Sequence, residues 1–193
     1  MNDDQIAESP KALQQIIEDT NTLGFDMASE PKTGSLLRIL AASKPTGSFL
    51  ELGTGTGLSG AWILDGMDDY SSLMSLDNDP EALSIANKNL GDDDRVLFEC
   101  CDGIKWLENN QNRKFDFIFA DAYPGKFEGL ELALNILKVG GFYIIDDLLP
   151  QQNWPDGHAP KVPELIAKLE SLNNFKPLRM AWASGLMILV RFK

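Results

Sequence analysis

The chain has 193 residues, of which 44% are hydrophobic and 24% are charged, a composition typical of a globular protein with a buried core. Its formal net charge of −12 argues against nucleic acid as a partner, because binding to a phosphate backbone requires clustered lysine and arginine. The sequence contains no apolar run of about 18 residues, so it predicts no membrane partner.

The N-terminal stretch MNDDQIAESP is acidic and polar, unlike a secretory signal or a transit peptide. Behind it, SPKALQQIIEDT (9–20) predicts a helix that is capped by Ser9 and has its apolar residues on one face. The segment SEPKTGSLLRILAA (29–42) predicts a second helix. We therefore expect an N-terminal helical segment over residues 1–44.

Strand-like and helix-like segments then alternate from residue 48 to about residue 172. The predicted strands are SFLEL (48–52), SLMSLD (72–77), RVLFEC (95–100), FDFIFAD (115–121) and FYIID (142–146). The predicted helices are LSGAWILDGM (58–67), PEALSIANKNL (80–90), DGIKWLENN (102–110) and GLELALNILK (129–138). Runs such as FIFA are apolar throughout, as expected for strands that are covered on both faces. The alternation predicts an α/β fold with a doubly wound, mainly parallel sheet.

The C-terminal segment FKPLRMAWASGLMILVRF (175–192) contains two strand-like runs separated by a short connection at Ala183-Ser184-Gly185. A connection this short forces the two strands to pair antiparallel. We expect one domain over residues 1–193, with an α/β core over residues 45–193. The adjacent Cys100 and Cys101 cannot link distant parts of this fold, which favours a reduced, cytoplasmic protein.

The loop ELGTGTGLSG (51–60) follows the first predicted strand and has glycines at positions 53, 55, 57 and 60. A glycine-rich turn between a strand and a helix allows a ligand to approach the backbone closely. The last three glycines also match the G-x-G-x-x-G fingerprint of nicotinamide dinucleotide sites. Asp77, at the end of the second strand, would bind ribose hydroxyls in either class of enzyme. A tight turn without a ligand is the third alternative.

Other motifs distinguish between these alternatives. Glu51 lies two positions before the first glycine of the loop, NDPEAL follows Asp77, and FDFIFAD, LKVGG and YIIDD come later. In this order the motifs resemble those of class I S-adenosylmethionine-dependent methyltransferases, and more closely the small bacterial members of the catechol O-methyltransferase-like family. The resemblance covers roughly residues 25–193 and implies a Rossmann-like, seven-stranded sheet. A dehydrogenase is less well supported, because the chain has neither a Tyr-x-x-x-Lys pair nor a second domain.

The resemblance implies that S-adenosylmethionine binds along the glycine loop and beyond the ends of the next two strands. Asp77 would accept from both ribose hydroxyls, and Asp102 would accept from the adenine amino group, cap the following helix, or do both. Ser59 would hold the amino-acid end of the cofactor or serve only the start of its helix. Met27 would lie near the sulfonium or in the core. The full implied set is Met27, Ser29, Glu51, Gly53, Thr54, Gly55, Gly57, Ser59, Asp77, Asn78, Cys101, Asp102, Asp121 and Ala122.

Three carboxylates follow the fourth and fifth strands, which are neighbours in the sheet of this family. Asp121 ends the fourth strand, and Asp146 and Asp147 end the fifth. Close carboxylates repel one another unless a positive group joins them or some are protonated. All-oxygen ligands suit Mg²⁺ or Ca²⁺, and the resemblance implies the same metal site, with Asp147 where the family usually has Asn. The alternative is a solvated acidic rim in which Asp121 serves only the cofactor.

Two residues are candidates for the general base. The family has a lysine three residues after the strand-four aspartate, whereas Lys126 follows Asp121 by five residues, with a Pro-Gly turn between them. Lys126 reaches an acceptor only if that turn folds back, and is otherwise a surface lysine. His158, the single histidine, lies in the predicted loop QQNWPDGHAP and would act as a base or be solvated. Trp154 in that loop would stack on an aromatic acceptor or close the loop onto the core.

The sequence therefore predicts an S-adenosylmethionine-dependent O-methyltransferase that acts on a small, catechol-like acceptor. Asp121, Lys126 and His158 are its predicted catalytic residues, and a divalent cation would lower the pKa of the acceptor hydroxyl. The alternatives are an NAD(P)-dependent oxidoreductase and a catalytically idle module that binds S-adenosylmethionine. A homodimer is compatible with the family resemblance, although no sequence pattern specifies it.

Overall fold

The computed structural model of the chain describes residues 8–193, and residues 1–7 of the acidic N-terminal stretch lie outside the described residues. Two helices precede the sheet, α1 (Leu13–Leu23) and α2 (Pro31–Ala42). Pro31 stands at the first position of α2, where a backbone N–H has no partner within the helix. Gly24 ends α1 in the left-handed conformation, with φ 75°.

Seven strands follow: β1 (Ser48–Leu52), β2 (Ser72–Asp77), β3 (Val96–Cys100), β4 (Phe115–Ala120), β5 (Leu137–Ile145), β6 (Phe175–Met180) and β7 (Leu186–Arg191). They form one sheet in the order β3-β2-β1-β4-β5-β7-β6. Strands β1 to β5 pair in parallel, whereas β7 pairs antiparallel with both β5 and β6. This architecture confirms the predicted Rossmann-like sheet with an antiparallel C-terminal hairpin.

Five helices connect the strands: α3 (Leu58–Gly66), α4 (Pro80–Leu90), α5 (Gly103–Asn109), α6 (Leu130–Asn135) and α7 (His158–Glu170). Successive strand residues alternate between two buried core layers. Leu50 and Ile118 pack in the layer that contains residues of α5, α6 and α7. Phe49 and Phe117 pack in the other layer, with residues of α1, α2 and α3. Because both layers exclude water, the central strands are mainly apolar.

The start of the first helix differs from the prediction. Ser9 does not cap it, because α1 begins at Leu13 and Ala12 precedes it without a side-chain cap. Instead, the N–H of Leu13 donates to the carbonyl of Pro10 over 3.0 Å, so the chain enters α1 through a turn. Within the described residues, none of the helices is long and apolar enough to cross a membrane.

The sixth helix is shorter than predicted, and the fifth strand is longer. Residues 129–138 were expected to be helical, but α6 ends at Asn135 and Leu137 already pairs with Phe115 of β4. Leu137 is fully buried. The periodicity of this segment suits a helix, but the sheet buries its last apolar residues more completely than a helix on the surface would.

The carboxyl ends of β1, β2, β4 and β5 meet at one edge of the sheet. The strand order reverses between β1 and β4, so the loops that follow these two strands diverge. Such a reversal leaves a crevice, and ligands of doubly wound proteins bind there.

Candidate active site

A cavity of about 710 Å³ lies in this crevice. Its volume falls within the range that is typical of small-molecule sites. Glu51 and Gly57 are the two residues predicted to bind ligands that do not line it. The other predicted residues do, namely Met27, Ser29, Gly53, Thr54, Gly55, Ser59, Asp77, Asn78, Cys101, Asp102, Asp121, Ala122, Lys126, Asp146, Asp147 and His158.

The glycine loop is held by its own backbone N–H groups. Four of them donate within the chain: Gly53 and Thr54 to the carbonyl of Leu76 (2.9 and 3.2 Å), Gly57 to the carbonyl of Thr54 (3.0 Å) and Gly55 to Oδ2 of Asp77 (2.7 Å). These bonds fix the loop against the end of β2. They also mean that these four N–H groups are already engaged and do not form an open cradle for a phosphate.

Gly53 is the point of closest approach between this loop and β4. Its φ of 102° lies in the left-handed region, and a Cβ there would stand 3.0 Å from both the Ala122 Cβ and the Asp121 carbonyl oxygen. Only glycine meets both conditions without displacing the backbone of its neighbours.

Glu51 lies beneath the loop and is fully buried. Its Oε1 accepts from the Ser59 hydroxyl over 2.6 Å, and its Oε2 accepts from the Ser75 hydroxyl over 2.5 Å. Burial raises the pKa of Glu51 to about 7, although the two serine hydrogen bonds act in the opposite direction. Glu51 therefore supports the loop from below, and the hydroxyl of Ser59 is bound to it.

Asp77 faces the cavity from the end of β2. Its Oδ1 accepts from the N–H of Asp79 over 2.9 Å, and its Oδ2 accepts from the N–H of Gly55. A carboxylate oxygen has two lone pairs, so Asp77 retains capacity for two further donors from a ligand.

Asp102 caps α5 and also lines the cavity. Its Oδ1 accepts from the N–H groups of Ile104 (2.9 Å) and Lys105 (3.1 Å), so the capping alternative is realised through a single carboxylate oxygen. The neighbouring Cys101 is partly buried, and this burial raises the pKa of its thiol to about 11. The thiol is consequently protonated at neutral pH, as expected for a structural cysteine rather than a nucleophile.

The segment before α2 covers the mouth of the cavity. Met27 is 57% exposed, so it does not belong to the core. Ser29 donates its hydroxyl to Oδ2 of Asp121 over 3.1 Å. Asn153 donates its side-chain amide to the carbonyl of Asp26 over 2.7 Å and so links this segment to the loop after β5.

The three predicted acidic residues converge where β4 and β5 end. Each of them has an oxygen that accepts from the protein. Oδ2 of Asp121 accepts from the Ser29 hydroxyl, and Oδ1 of Asp147 accepts from Nε1 of Trp154 over 2.6 Å. Oδ1 of Asp146 accepts from the Ser184 hydroxyl and, over 2.7 Å, from the N–H of Asp147. Burial raises the pKa of Asp121 and of Asp146, and the charge of Asp146 raises that of Asp121 further.

The turn before Lys126 folds back and directs this lysine into the acidic cluster. Nζ of Lys126 lies 4.0 Å from Oδ1 of Asp121 and 3.9 Å from Oδ2 of Asp147, and the side chain is only 3% exposed. The hydroxyl of Tyr143, a core residue of β5, donates to the carbonyl of Gly125 over 2.5 Å and fixes the turn. Lys126 is therefore not a surface lysine.

The predicted loop position of His158 is wrong, because His158 is the first residue of α7. The residue is also buried, which excludes the solvated alternative. Its Nε2 lies 3.6 Å from Oδ2 of Asp147 and 3.4 Å from the Asp147 carbonyl oxygen. Burial and the charge of Lys126 lower the pKa of His158. The preceding residue, Gly157, adopts a left-handed conformation with φ 81°, which allows the loop to turn into the helix.

Aromatic rings surround the imidazole of His158. Trp154 stacks on it with ring centroids 4.4 Å apart, and Phe127 and Tyr123 present their edges at 4.9 and 6.2 Å. Trp154 thus closes the loop onto the site, while its indole N–H holds Asp147. Of these residues, Trp154, His158 and Tyr123 line the cavity and form an aromatic wall beside the carboxylates.

Several residues that shape the site were not predicted from the sequence, among them Ser75, Tyr143 and Ser184. Ser184 reaches Asp146 because β7 inserts beside β5, and this strand order has no local sequence signal. Ser75 and Tyr143 lie inside strands, where a lone polar group in an apolar run is the only indication of a buried partner.

Comparison with known proteins identifies relatives that are named as O-methyltransferases. A family model described as O-methyltransferase matches residues 3–174. A Mycobacterium tuberculosis protein named as a probable O-methyltransferase is 28% identical over 123 residues, which are 61% of this chain and 55% of that protein. The chain thus spans about half the length of the relatives it matches.

Solved structures share the fold. An O-methyltransferase from Bacillus cereus, in complex with S-adenosylhomocysteine, superposes with a TM-score of 0.80 at 20% identity, over 97% of this chain and 94% of that one. An O-methyltransferase of tomaymycin synthesis from Streptomyces achromogenes, in complex with S-adenosylmethionine, gives 0.79 at 18% identity, over 98% and 93%. At such identities the likeness is one of fold.

Proposed function

This chain belongs to the O-methyltransferase family, and on that basis we propose that it transfers a methyl group from S-adenosylmethionine to a hydroxyl of a small aromatic acceptor. The family, the charge of the cavity and the aromatic wall support this proposal. The single-domain organisation of residues 1–193, the cytoplasmic location and the homodimer stay predictions.

The charge of the cavity is the observation that carries the cofactor proposal. Among the described residues, eight carboxylates and one lysine, Lys126, line the cavity. The carboxylates are those of Glu30, Asp77, Asp79, Asp102, Asp121, Glu128, Asp146 and Asp147. Such a lining attracts the cationic amino and sulfonium groups of S-adenosylmethionine and repels the diphosphate of a dinucleotide. The engaged N–H groups of the glycine loop also disfavour a dinucleotide, because its phosphates need open backbone donors.

We assign the cofactor groups to residues by their positions in the cavity. Asp77 would accept from the two ribose hydroxyls, and Asp102 would accept from the adenine amino group through the oxygen that does not cap α5. Gly53 and Gly55 would let the cofactor pass against bare backbone, over a loop that Glu51 supports. The remaining proposed contacts are Met27, Ser29, Thr54, Ser59, Asn78, Cys101, Asp121 and Ala122. Gly57 does not line the cavity and would act only through the shape of the loop.

When bound, S-adenosylmethionine would supply a methyl group on a positively charged sulfur, which the acceptor oxygen takes as the carbon–sulfur bond breaks. The chain has to align the acceptor hydroxyl and receive its proton. We propose that Asp121 and Lys126 orient the hydroxyl and that His158 receives the proton. Its lowered pKa keeps the imidazole neutral, and so able to accept, at neutral pH.

The acceptor proposal rests on the wall formed by Trp154, His158 and Tyr123. Flat rings stack well on such side chains, and the carboxylates beside the wall suit hydroxyl donors. The acidic lining also favours a neutral or cationic acceptor over an anionic one. We therefore propose a catechol-like ring without acidic substituents.

A divalent cation is the part of the prediction that the site residues do not fit. Within residues 8–193, no group of His, Cys, Asp or Glu side chains is arranged to hold a metal ion. An ion on the oxygens of Asp121 and Asp147 that face Lys126 would lie beside its ammonium group, and two cations in a buried site repel. We therefore propose methyl transfer without a metal step.

A thermal-shift experiment separates the cofactor alternatives. S-adenosylhomocysteine should raise the Tm of the protein and NADH should not, because only a ligand that the folded state binds stabilises it. Turnover across a panel of catechols and phenols then separates an enzyme from an idle module. A Tm rise with NADH alone would refute the proposal. Binding of S-adenosylhomocysteine without any methylated product would instead support the catalytically idle module.

A further inference from the structure

Lys126 occupies a built cation site. It is the one lysine or arginine among the described residues that line the cavity, and only 3% of its side chain is exposed. Lysine is rarely buried to this extent unless its charge is compensated. The compensation comes from Asp121 and Asp147, at 4.0 and 3.9 Å, and Lys126 also acts electrostatically on Asp146.

The backbone that carries Lys126 is fixed by its surroundings. Gly125, the residue before it, has φ 80°, and a Cβ there would lie 2.4 Å from Cδ1 of Leu52 and 2.9 Å from the Tyr143 hydroxyl. The Tyr143 hydroxyl also bonds the Gly125 carbonyl. Glycine at position 125 therefore allows the close approach of the turn to Leu52 and Tyr143, and from this turn Lys126 reaches the carboxylates.

The protein donors around the carboxylates leave the side toward Lys126 for a cation. Ser29 and Trp154 hold the oxygens of Asp121 and Asp147 that point away from the lysine. The remaining oxygen of each faces Nζ. Oδ2 of Asp147 also lies 3.6 Å from Nε2 of His158, but burial lowers the pKa of that imidazole. The charged group that Asp121 and Asp147 share is therefore the ammonium of Lys126.

We infer that the ammonium of Lys126 takes the place of the divalent ion predicted for Asp121, Asp146 and Asp147, and that this chain is a metal-independent member of its family. Lys126 then contacts the acceptor oxygen as a cation and hydrogen-bond donor and does not take its proton. This role toward the acceptor rests on the proposed function. The ion site itself can be tested without cofactor or acceptor.

The wild-type protein provides the first test. After dialysis against EDTA, Mg²⁺ and Ca²⁺ should leave its Tm unchanged, and Tb³⁺ should give no luminescence sensitised by Trp154. A bound ion would instead raise the Tm by roughly 5 °C or more at a hundredfold excess over its Kd. This measurement needs no variant, so it decides the question even if a substituted protein does not fold.

The Lys126→Ala variant provides the second test, because it leaves three carboxylates around an empty position. Its Tm should be below that of the wild type, since removing one partner of a buried ion pair destabilises a protein. Mg²⁺ or Ca²⁺ should recover much of that loss, and Tb³⁺ luminescence should appear. Adding Asp146→Ala to the same protein should abolish both effects.

Lys138→Ala is the matched control. Lys138 also forms an ion pair, with Nζ 2.7 Å from Oδ2 of Asp116, but it is 43% exposed and faces one carboxylate. This variant should gain no ion-dependent shift. The inference is overturned if Mg²⁺ or Ca²⁺ stabilises the wild type, or if folded Lys126→Ala gains no ion site. Failure of the proposed function would show separately, as absence of S-adenosylhomocysteine binding in calorimetry.

Discussion

The N–H of Gly55 donates to Oδ2 of Asp77 over 2.7 Å and so ties the glycine loop after β1 to the end of β2. Two of the motifs from which the family resemblance was drawn are therefore one structural unit. Asp77 holds the loop in the shape against which a ligand would lie, and it offers its remaining lone pairs to that ligand.

Asp77→Ala should weaken S-adenosylhomocysteine binding by roughly 2–4 kcal/mol, because two hydrogen bonds to a charged group are lost together with the tie to Gly55. Isothermal calorimetry on the folded variant measures this directly. Asp68→Ala is the control, since Asp68 also accepts from two backbone N–H groups, those of Thr46 and Tyr70, but does not line the cavity. Equal affinity of the Asp77 and Asp68 variants would remove Asp77 from the site.

Gly53→Ala should both destabilise the protein and impair cofactor binding. An added Cβ would press on the Asp121 carbonyl at 3.0 Å, and relieving it moves the start of the β4 loop. Gly140→Ala isolates the conformational part, because Gly140 has φ 81° with no atom within 4 Å of the added Cβ. Urea unfolding should show the Gly53 variant ~1–3 kcal/mol less stable than the Gly140 variant, and only the former should lose affinity for S-adenosylhomocysteine.

Glu51→Gln should change how stability depends on pH. The pKa of Glu51 rises from 4.5 to about 7 on folding, so between these values the folded state binds more protons than the unfolded state. The contribution of Glu51 to stability is therefore fully present below pH 4.5 and is lost as the pH rises to about 7.

The loss across that window amounts to about 3 kcal/mol, at 1.36 kcal/mol for each pKa unit. The Gln variant lacks the titrating group, so the unfolding free energy of the wild type should fall by that amount relative to that of the variant as the pH rises. Denaturant titrations at several pH values measure it. Parallel pH profiles for the two proteins would show that Glu51 does not titrate in this range.

Trp154→Phe should lower acceptor turnover and leave cofactor affinity unchanged. The substitution keeps a ring against His158 but removes the N–H that donates to Asp147 over 2.6 Å, at a cost of about 1–3 kcal/mol in stability. Trp182→Phe is the control, because the indole N–H of Trp182 is buried without a hydrogen-bond partner among the described residues. If both variants keep wild-type kcat/KM, Trp154 does not organise the acceptor end.

The central sheet was predictable because its strands are short, mainly apolar runs between helical segments. SFLEL and SLMSLD coincide with β1 and β2, since strands covered on both faces are mainly apolar. The end of the helix in residues 129–138 was predicted wrongly. The helical period of LELALN continues into Leu137, but Leu137 pairs with β4 in the sheet. Local helix propensity does not report whether a distant strand will pair with these residues.

The site was predictable where each residue acts from the end of its own strand. Asp77, Asp121 and Asp146 reach the cavity for that reason. Lys126 and His158 were ambiguous, since their burial depends on a turn fixed by Tyr143 and on a helix that begins after Gly157. Such contacts between distant segments leave no spacing pattern that sequence reasoning can use.

The most direct test of methyl transfer is mass spectrometry of wild-type protein incubated with S-adenosylmethionine and a panel of neutral, cationic and anionic catechols, in EDTA. We predict products one methyl group heavier, formed in equal amount with S-adenosylhomocysteine, from the neutral or cationic catechols and with no added metal. The contradicting result is no methylated product and no S-adenosylhomocysteine from any acceptor, with or without Mg²⁺, by a protein that is folded.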